Sequence, residues 1–276
     1  MNRFIFIPTW RCPFRCPYCD YNIKFEKDYY ICNAFQGWKI QKIEREYDDE
    51  TWLEALRPYE PYRLDITGGE PSIYPYLGKL LKKLPKGCKW AVTTNAMNIK
   101  PFFEAKLEAN IGFTASYHPY APKPYSNLGW FRDQLMQLRS IGYFIQVTIV
   151  AYPYNLSKLR DYVSFFEQDF AVNVMPFFSR LWDWTEHPEL LRKLMEFKQY
   201  WHGNQKLKFE PDHYDKCRAG YNYAMLTPNG DVYRCYSGFV QDKYYMGNII
   251  KGTFRFHKKP QPCNIGCYFP CDLELQ

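Results

Sequence analysis

The feature that most constrains this chain is a regular alternation of strand-like and helix-like segments through its first two-thirds. Residues 3–8 (RFIFIP) read as a buried strand, and residues 48–58 as a helix with acidic residues at its start and a proline at its end. A second strand follows at 62–67, an amphipathic helix at 76–85 and a third strand at 89–95. Residues 99–110 read as a helix and 111–118 as a fourth strand. A helix over 130–142 leads to a fifth strand at 143–152, and one over 156–169 to a sixth at 171–178. Strands separated by helices of about ten to fifteen residues join by right-handed crossovers and form a parallel sheet. The predicted fold class is therefore α/β. Six strands fit a partial, TIM-like (β/α)6 barrel better than a closed barrel of eight.

Residues 187–203 read as one long helix, with Pro188 near its start and Gly203 just past its end. Leu190, Leu191, Leu194, Phe197 and Trp201 recur along it at helical spacing, which marks a packing face. The character of the chain then changes. Residues 223–235 read as a β-hairpin turning through Pro228-Asn229-Gly230-Asp231, and 260–271 are rich in cysteine and proline without periodicity. The division expected is a barrel over 1–203 and a small Cys-rich hairpin module over 204–276 that needs a metal staple.

Ten cysteines are present. Three lie between 12 and 19 and five between 217 and 271, and only Cys32 and Cys88 stand apart. In a reducing compartment such clustering reads as metal binding rather than disulfides. Cys32 and Cys88 read as small buried side chains or bystanders. The first group, Cys12-Pro-Phe-Arg-Cys16-Pro-Tyr-Cys19, directly follows the first strand. It therefore sits at the C-terminal end of that strand, where α/β barrels keep their chemistry. Three thiolates on one short loop can wrap a face of a cubane iron–sulfur cluster and leave one iron open, because such clusters normally take four. Zinc, or a closed cluster with Cys32 as fourth ligand, is the alternative that the cysteines leave standing. A second signal lies at the end of the second strand, Thr67-Gly68-Gly69-Glu70-Pro71, where paired glycines allow a close approach to the backbone.

With Tyr18 before its last cysteine and GGEP one strand later, this part of the chain resembles the radical S-adenosylmethionine (SAM) superfamily. The resemblance implies a 4Fe–4S cluster on Cys12, Cys16 and Cys19 whose open iron chelates SAM. It also implies reductive cleavage of SAM to a 5′-deoxyadenosyl radical that abstracts a hydrogen atom from the substrate. The cofactor supplies the difficult chemistry, and the protein supplies orientation and a dry site. By the same resemblance SAM is met by Tyr18 and by Gly68, Gly69, Glu70 and Pro71. Asn95, after Thr94 at the end of the third strand, and Ser116, at the end of the fourth, complete those contacts. Both could equally cap the helices that follow. His118 either faces the substrate or is a loop histidine. No catalytic residue beyond these contacts is assigned.

The tail carries Cys217 and Gly220, then Gly230 and Cys235 with four residues between them, Gly247-Asn248-Ile249, and finally Cys263, Cys267 and Cys271. It resembles the SPASM/Twitch extension of radical SAM enzymes, and departs from the full SPASM pattern in the regular spacing of its last three cysteines. One auxiliary 4Fe–4S cluster fits the count, held by Cys217, Cys235 and two of Cys263, Cys267 and Cys271. A tetrahedral zinc site is the alternative.

An auxiliary cluster implies a net oxidation, a crosslink or a dehydrogenation, with a peptide as the first substrate class and a small molecule, a sugar or cofactor precursor, as the second. Only 11 residues precede Cys12, which leaves leader binding to a separate protein or to the cleft itself. An electron donor such as flavodoxin or ferredoxin is implied. The net charge of +7 is spread along the chain, and no nucleic-acid module is recognisable, so RNA modification ranks last. Aromatic residues make up 20%, enough for a stacking cleft as well as core packing. With no targeting signal or apolar run long enough to cross a membrane, the chain reads as soluble and cytoplasmic.

Overall fold

The computed structural model describes residues 1–19, 23–26, 29–32, 38–42, 46–178, 182–203, 205–208 and 215–265. Six parallel strands form its centre: β1 (Asn2–Phe6), then, after the three strands of a separate small sheet, β5 (Tyr62–Ile66), β6 (Lys89–Thr94), β7 (Asn110–Tyr117), β8 (Ile145–Ala151) and β9 (Ala171–Pro176). They pair in that order, from Phe4 beside Leu64 to Val150 beside Met175. The sheet stays open, with β9 at its edge. The connecting helices are α1 (Asp49–Leu56), α2 (Leu77–Lys82), α3 (Lys100–Glu104), α4 (Leu128–Ser140) and α5 (Leu159–Phe166). Local chemistry starts them where the sequence says: Asp48 caps α1 by accepting from the Thr51 amide at 2.8 Å, and Asn127 caps α4 by accepting from the Trp130 amide at 2.9 Å.

Side chains alternate across a strand, so each strand has a helix-facing and an inner side. The helix-facing side is apolar and fully packed, with Phe4, Phe6, Leu64, Trp90, Val147 and Val174 in one core with Trp52, Leu80 and Phe166 of the helices. The inner side of β5 to β9 is different. It carries Asp65, Thr93, Thr114, Ser116, Thr148 and Asn173. Barrels of this type normally fill that space with bulky branched side chains. Here Asp65, Thr114 and Ser116 are half-buried and Thr93 is exposed, so the inner wall is polar and reachable. At its lower end Asp65 accepts from Arg63 at 2.6 Å and also pairs with Arg3.

Three local readings are corrected. The helix over 187–203 is only α6 (Pro188–Met195), followed by a 3-10 turn at Lys198–Tyr200. Its packing face holds, with Leu194 and Phe197 buried. The chain leaves the helix to bring His202 under the sheet, where its amide donates to Asn173 Oδ1 at 3.2 Å and its ring meets Gln146 at 2.7 Å. The helix over 99–110 stops at Glu104, because Ala105 turns extended and Lys106 reaches back to the Leu84 carbonyl. Between the cysteine loop and α1, where no element was read, lies the small antiparallel sheet of β2 (Ile23–Glu26), β3 (Tyr29–Cys32) and β4 (Trp38–Lys42).

The C-terminal hairpin forms as read, from β10 (Tyr223–Leu226) and β11 (Asp231–Tyr233). Its turn is closed by the Gly230 amide on the Thr227 carbonyl at 2.9 Å. After α7 (Tyr236–Val240), β12 (Tyr245–Asn248) adds a third strand, and Asn248 Nδ2 donates to the Asn229 carbonyl and to Asp231, both at 2.9 Å. The hairpin does not stand apart from the barrel. β10 runs parallel to β1, with Arg3 beside Tyr223 and Phe6 beside Leu226, so one nine-stranded sheet runs through both parts. Among the described residues no helix is long and apolar enough to cross a membrane.

Candidate functional site

The loop after β1 folds back over the ends of β5, β6 and β7. Its root is stapled by Glu46, which accepts from Thr9 Oγ1 at 2.7 Å and from Arg11 at 2.7 and 3.0 Å. The paired glycines lie directly under this loop. The Gly69 amide donates to the Thr9 carbonyl at 3.1 Å and the Glu70 amide to the Arg11 carbonyl at 2.8 Å. A Cβ on Gly69 would lie 2.2 Å from the Arg11 oxygen and 2.4 Å from the Trp10 oxygen, and Gly68 has φ +125°. The close approach that needs glycine is therefore made by the chain's own backbone, immediately before Cys12.

Glu70 is turned inward and 1% exposed. One carboxylate oxygen accepts from Thr94 Oγ1 at 2.6 Å and the Ser72 amide at 2.9 Å, and the other accepts from the Asn95 amide at 2.6 Å. Burial raises its pKa, and these hydrogen bonds oppose the rise. The side chain thus ties the end of β5 to the end of β6. Pro71 is buried as the first residue of the 3-10 turn Pro71–Ile73 and does not line the cavity described next.

Cys12, Cys16 and Cys19 line one cavity of about 210 Å³ together with Tyr18, Gly68, Gly69, Glu70, Asn95, Ser116 and His118. The cysteines follow from their spacing, and the other residues are those that the resemblance implies, His118 apart. Phe14, Thr67, Thr93, Thr94, Val150 and Met175 complete the wall. Several of these were legible in hindsight, as inward-facing positions at the C-terminal ends of strands. Asn95 Nδ2 lies 3.9 Å from Cys12 Sγ. Burial pushes the Cys12 thiol up to about 12 and the Cys16 thiol to about 11. The Tyr18 hydroxyl meets His118 Nδ1 at 3.0 Å with the two rings stacked, and burial lowers the His118 pKa to about 4, so its ring is neutral. That link places His118 in the cavity wall.

In the tail, Cys235 is buried and its sulfur accepts from the Gly238 amide at 3.3 Å. Cys217 packs against the buried hydrophobic side chains around Cys235, among them Trp10, Tyr223 and Phe239, and its backbone pairs with Gln261 through hydrogen bonds of 2.9 and 3.1 Å, two residues before Cys263. Three of the five tail cysteines are thus held by neighbouring backbone segments, and Cys267 and Cys271 lie outside the described residues. Cys88 is 2% exposed and takes the Tyr62 amide at 3.5 Å, as a buried side chain should. Cys32 ends β3. Among the described residues no three His, Cys, Asp or Glu side chains gather at one point suited to a single metal ion.

Fold and site define an α/β protein in which parallel strands converge on a three-cysteine loop and an antiparallel extension carries further cysteines. A model of the radical SAM superfamily matches residues 6–117, and a model of the SPASM iron–sulfur cluster-binding domain matches residues 217–256. The chain thus carries a radical SAM domain and, at its C-terminal end, a SPASM domain. The 7-carboxy-7-deazaguanine synthase of Haemophilus influenzae is 29% identical over 98 residues, 35% of this chain and 38% of that protein. Among solved structures, Streptococcus suis SuiB bound to precursor peptide SuiA matches with a TM-score of 0.57 at 14% identity, over 92% of this chain and 64% of that one. The structure of anSMEcpe with bound AdoMet matches at 0.60 and 16% identity, over 92% and 76%. The chain thus spans less than two thirds of the curated relative and of SuiB, and the structural likenesses show the fold.

The two domains imply a 4Fe–4S cluster with SAM at the first site and further iron–sulfur chemistry at the second. The residues fit. Three sulfurs on one cavity wall can hold a face of such a cluster and leave one iron for another ligand.

Proposed function

We propose that this chain is a radical SAM enzyme that oxidises a peptide, forming a crosslink or a dehydrogenated residue, in the cavity at the C-terminal ends of its parallel strands. The observation that carries the reading is the meeting of Cys12, Cys16 and Cys19 with the Gly68–Glu70 backbone, Asn95 and Ser116 around one cavity. In this reading the three cysteines hold the cluster, and Tyr18, Gly68, Gly69, Glu70, Asn95 and Ser116 shape the SAM site, with Pro71 setting the turn beneath it. Residues 1–203 form the catalytic barrel, and 204–276 the auxiliary unit with Cys217, Cys235 and two of Cys263, Cys267 and Cys271 as ligands.

Bound together, cluster and SAM supply reductive cleavage of SAM and hydrogen-atom abstraction, which no side chain can supply. The chain's own part is positional. Glu70 fixes the β6 end that carries Asn95, the glycine pair seats the loop that carries Cys12, and Tyr18 is held by His118. The polar inner wall offers hydrogen-bonding groups to a substrate, and Thr93 and Ser116 belong both to that wall and to the cavity.

A peptide substrate is supported by two proteins of like fold, SuiB solved with precursor peptide SuiA and anSMEcpe solved with AdoMet and the Cp18Cys peptide. The likeness to 7-carboxy-7-deazaguanine synthase, named for a small-molecule product, favours the second reading, a small-molecule substrate. An electron donor of the flavodoxin or ferredoxin kind would deliver the reducing electron.

Anaerobically reconstituted protein given dithionite and SAM should yield 5′-deoxyadenosine. Replacing Cys12, Cys16 and Cys19 together by Ala should abolish that product and leave about four irons in the tail. No 5′-deoxyadenosine from protein with an intact first cluster would refute the reading.

A further inference from the structure

Arg234 is 5% exposed and immediately precedes Cys235. Its Nε donates to the Ala219 carbonyl at 3.0 Å, and its two terminal nitrogens donate to the Pro262 and Gln261 carbonyls, each at 3.2 Å. Ala219 lies two residues after Cys217, and Pro262 lies directly before Cys263. One guanidinium therefore joins the three backbone segments that carry Cys217, Cys235 and Cys263. Its planar fork suits this task, since several fixed donors leave one rigid group in different directions.

Tyr244 completes the arrangement. Its ring centre lies 4.4 Å from the guanidinium carbon, and its carbonyl accepts from the Arg234 amide at 3.1 Å. Its hydroxyl accepts from the Asn264 amide at 2.8 Å. Cys263 is thus gripped on both sides, through Pro262 by Arg234 and through Asn264 by Tyr244.

The charge is the second half of the argument. Among the described residues the partners of Arg234 are carbonyl oxygens and an aromatic ring, with no carboxylate. Its field is felt nearby, where burial and the Arg234 charge together hold the His257 pKa below its ordinary value. A buried cation whose described partners are all neutral is stabilised by an anion close by. A cluster ligated by thiolates is anionic, and its potential responds to nearby charge and hydrogen bonding.

We propose that Arg234 is the positioning residue of the tail iron–sulfur site: its guanidinium clamps the segments bearing Cys217, Cys235 and Cys263, and its buried charge is the counter-charge of the cluster they hold. The inference rests on the reading that the tail cysteines bind such a cluster.

The test uses the full chain with Cys12, Cys16 and Cys19 replaced by Ala, so that the tail alone holds iron. This background should carry about four irons per chain and one reducible cluster signal. Background protein without iron would refute the tail-cluster reading itself. Given the cluster, Arg234→Gln should lose tail iron or move its midpoint potential to more negative values. Arg234→Lys keeps the charge and loses the fork, so its potential should lie nearer the parent's than that of Arg234→Gln. Folded Arg234→Gln protein with full iron and an unchanged potential would overturn the proposal. Where that variant fails to fold, Tyr244→Phe is decisive, since it deletes only the Asn264 hydrogen bond. A shifted cluster spectrum or potential supports the clamp, and identity with the parent overturns it.

Discussion

Replacing Gly69 by Ala tests most directly how the cysteine loop is seated. The added Cβ would lie 2.2 Å from the Arg11 oxygen, 2.4 Å from the Trp10 oxygen and 2.6 Å from the Arg11 carbonyl carbon, whereas ordinary contact begins at 3.4 Å. All three atoms are backbone, so no rotamer change relieves the clash. The loop must withdraw by about 1 Å, a misplacement that costs on the order of 100-fold in rate when it carries reacting groups. Withdrawal also strains the hydrogen bonds from Gly69 to Thr9 at 3.1 Å and from Glu70 to Arg11 at 2.8 Å. Overpacking of this kind costs about 1–3 kcal/mol, or roughly 2–12 °C in Tm for a chain of this size. The assay is the initial rate of 5′-deoxyadenosine formation under dithionite, with iron content and Tm measured on the same protein. Gly252→Ala is the control, because nothing lies within 4 Å of its Cβ and its φ of +68° charges only backbone strain. It should lose stability and keep its rate. Gly69→Ala protein with parental rate and iron content would refute the account of the loop's seat.

Glu70→Gln leaves an amide NH2 facing at least one of the donors that the carboxylate now accepts from, Thr94, Ser72 or Asn95. It should cost about 1–3 kcal/mol in denaturant unfolding and weaken SAM binding measured by calorimetry; an unchanged unfolding midpoint contradicts the tie between β5 and β6. His118 is neutral in the fold because burial lowers its pKa from 6.5 to about 4, so the unfolded chain binds the extra proton first. Stability is therefore complete above about pH 6.5 and falls as pH drops toward 4, by at most about 1.4 kcal/mol per pH unit from this group. His118→Gln should flatten unfolding free energy against pH across that window, and an unaltered slope would show that the ring is solvated.

Much of the site was readable because its signals are local. The cysteine spacing, Tyr18 within it and the GGEP turn each occupy a few consecutive residues, and strand period and caps place them at strand ends. What local pattern does not carry is the identity of a neighbour. The paired glycines were read as allowing a ligand close to the backbone, and the structure adds that the Cβ positions meet Ile7 and the backbone of residues 9–11. Glu70 was read as part of a motif that meets the cofactor through its backbone, and what its carboxylate does, tying Thr94, Ser72 and Asn95 together, was not legible in the sequence. The helix over 187–203 was overextended because its apolar stripe continues past the point where the chain turns to reach Asn173.

The sequence by itself determined the alternating α/β order, the six parallel strands and the two cysteine groups, since periodicity and spacing are properties of short segments; the class of chemistry it implied through its resemblance to the radical SAM superfamily. Only the tertiary structure decided that the hairpin joins the barrel sheet through β10 beside β1, that the inner wall is polar and open, and that Arg234 links the segments bearing the tail cysteines. Each of these depends on residues far apart in the chain, such as Arg3 and Tyr223. A strand's period says which side chains share a face, and the packing of the whole chain decides what that face meets.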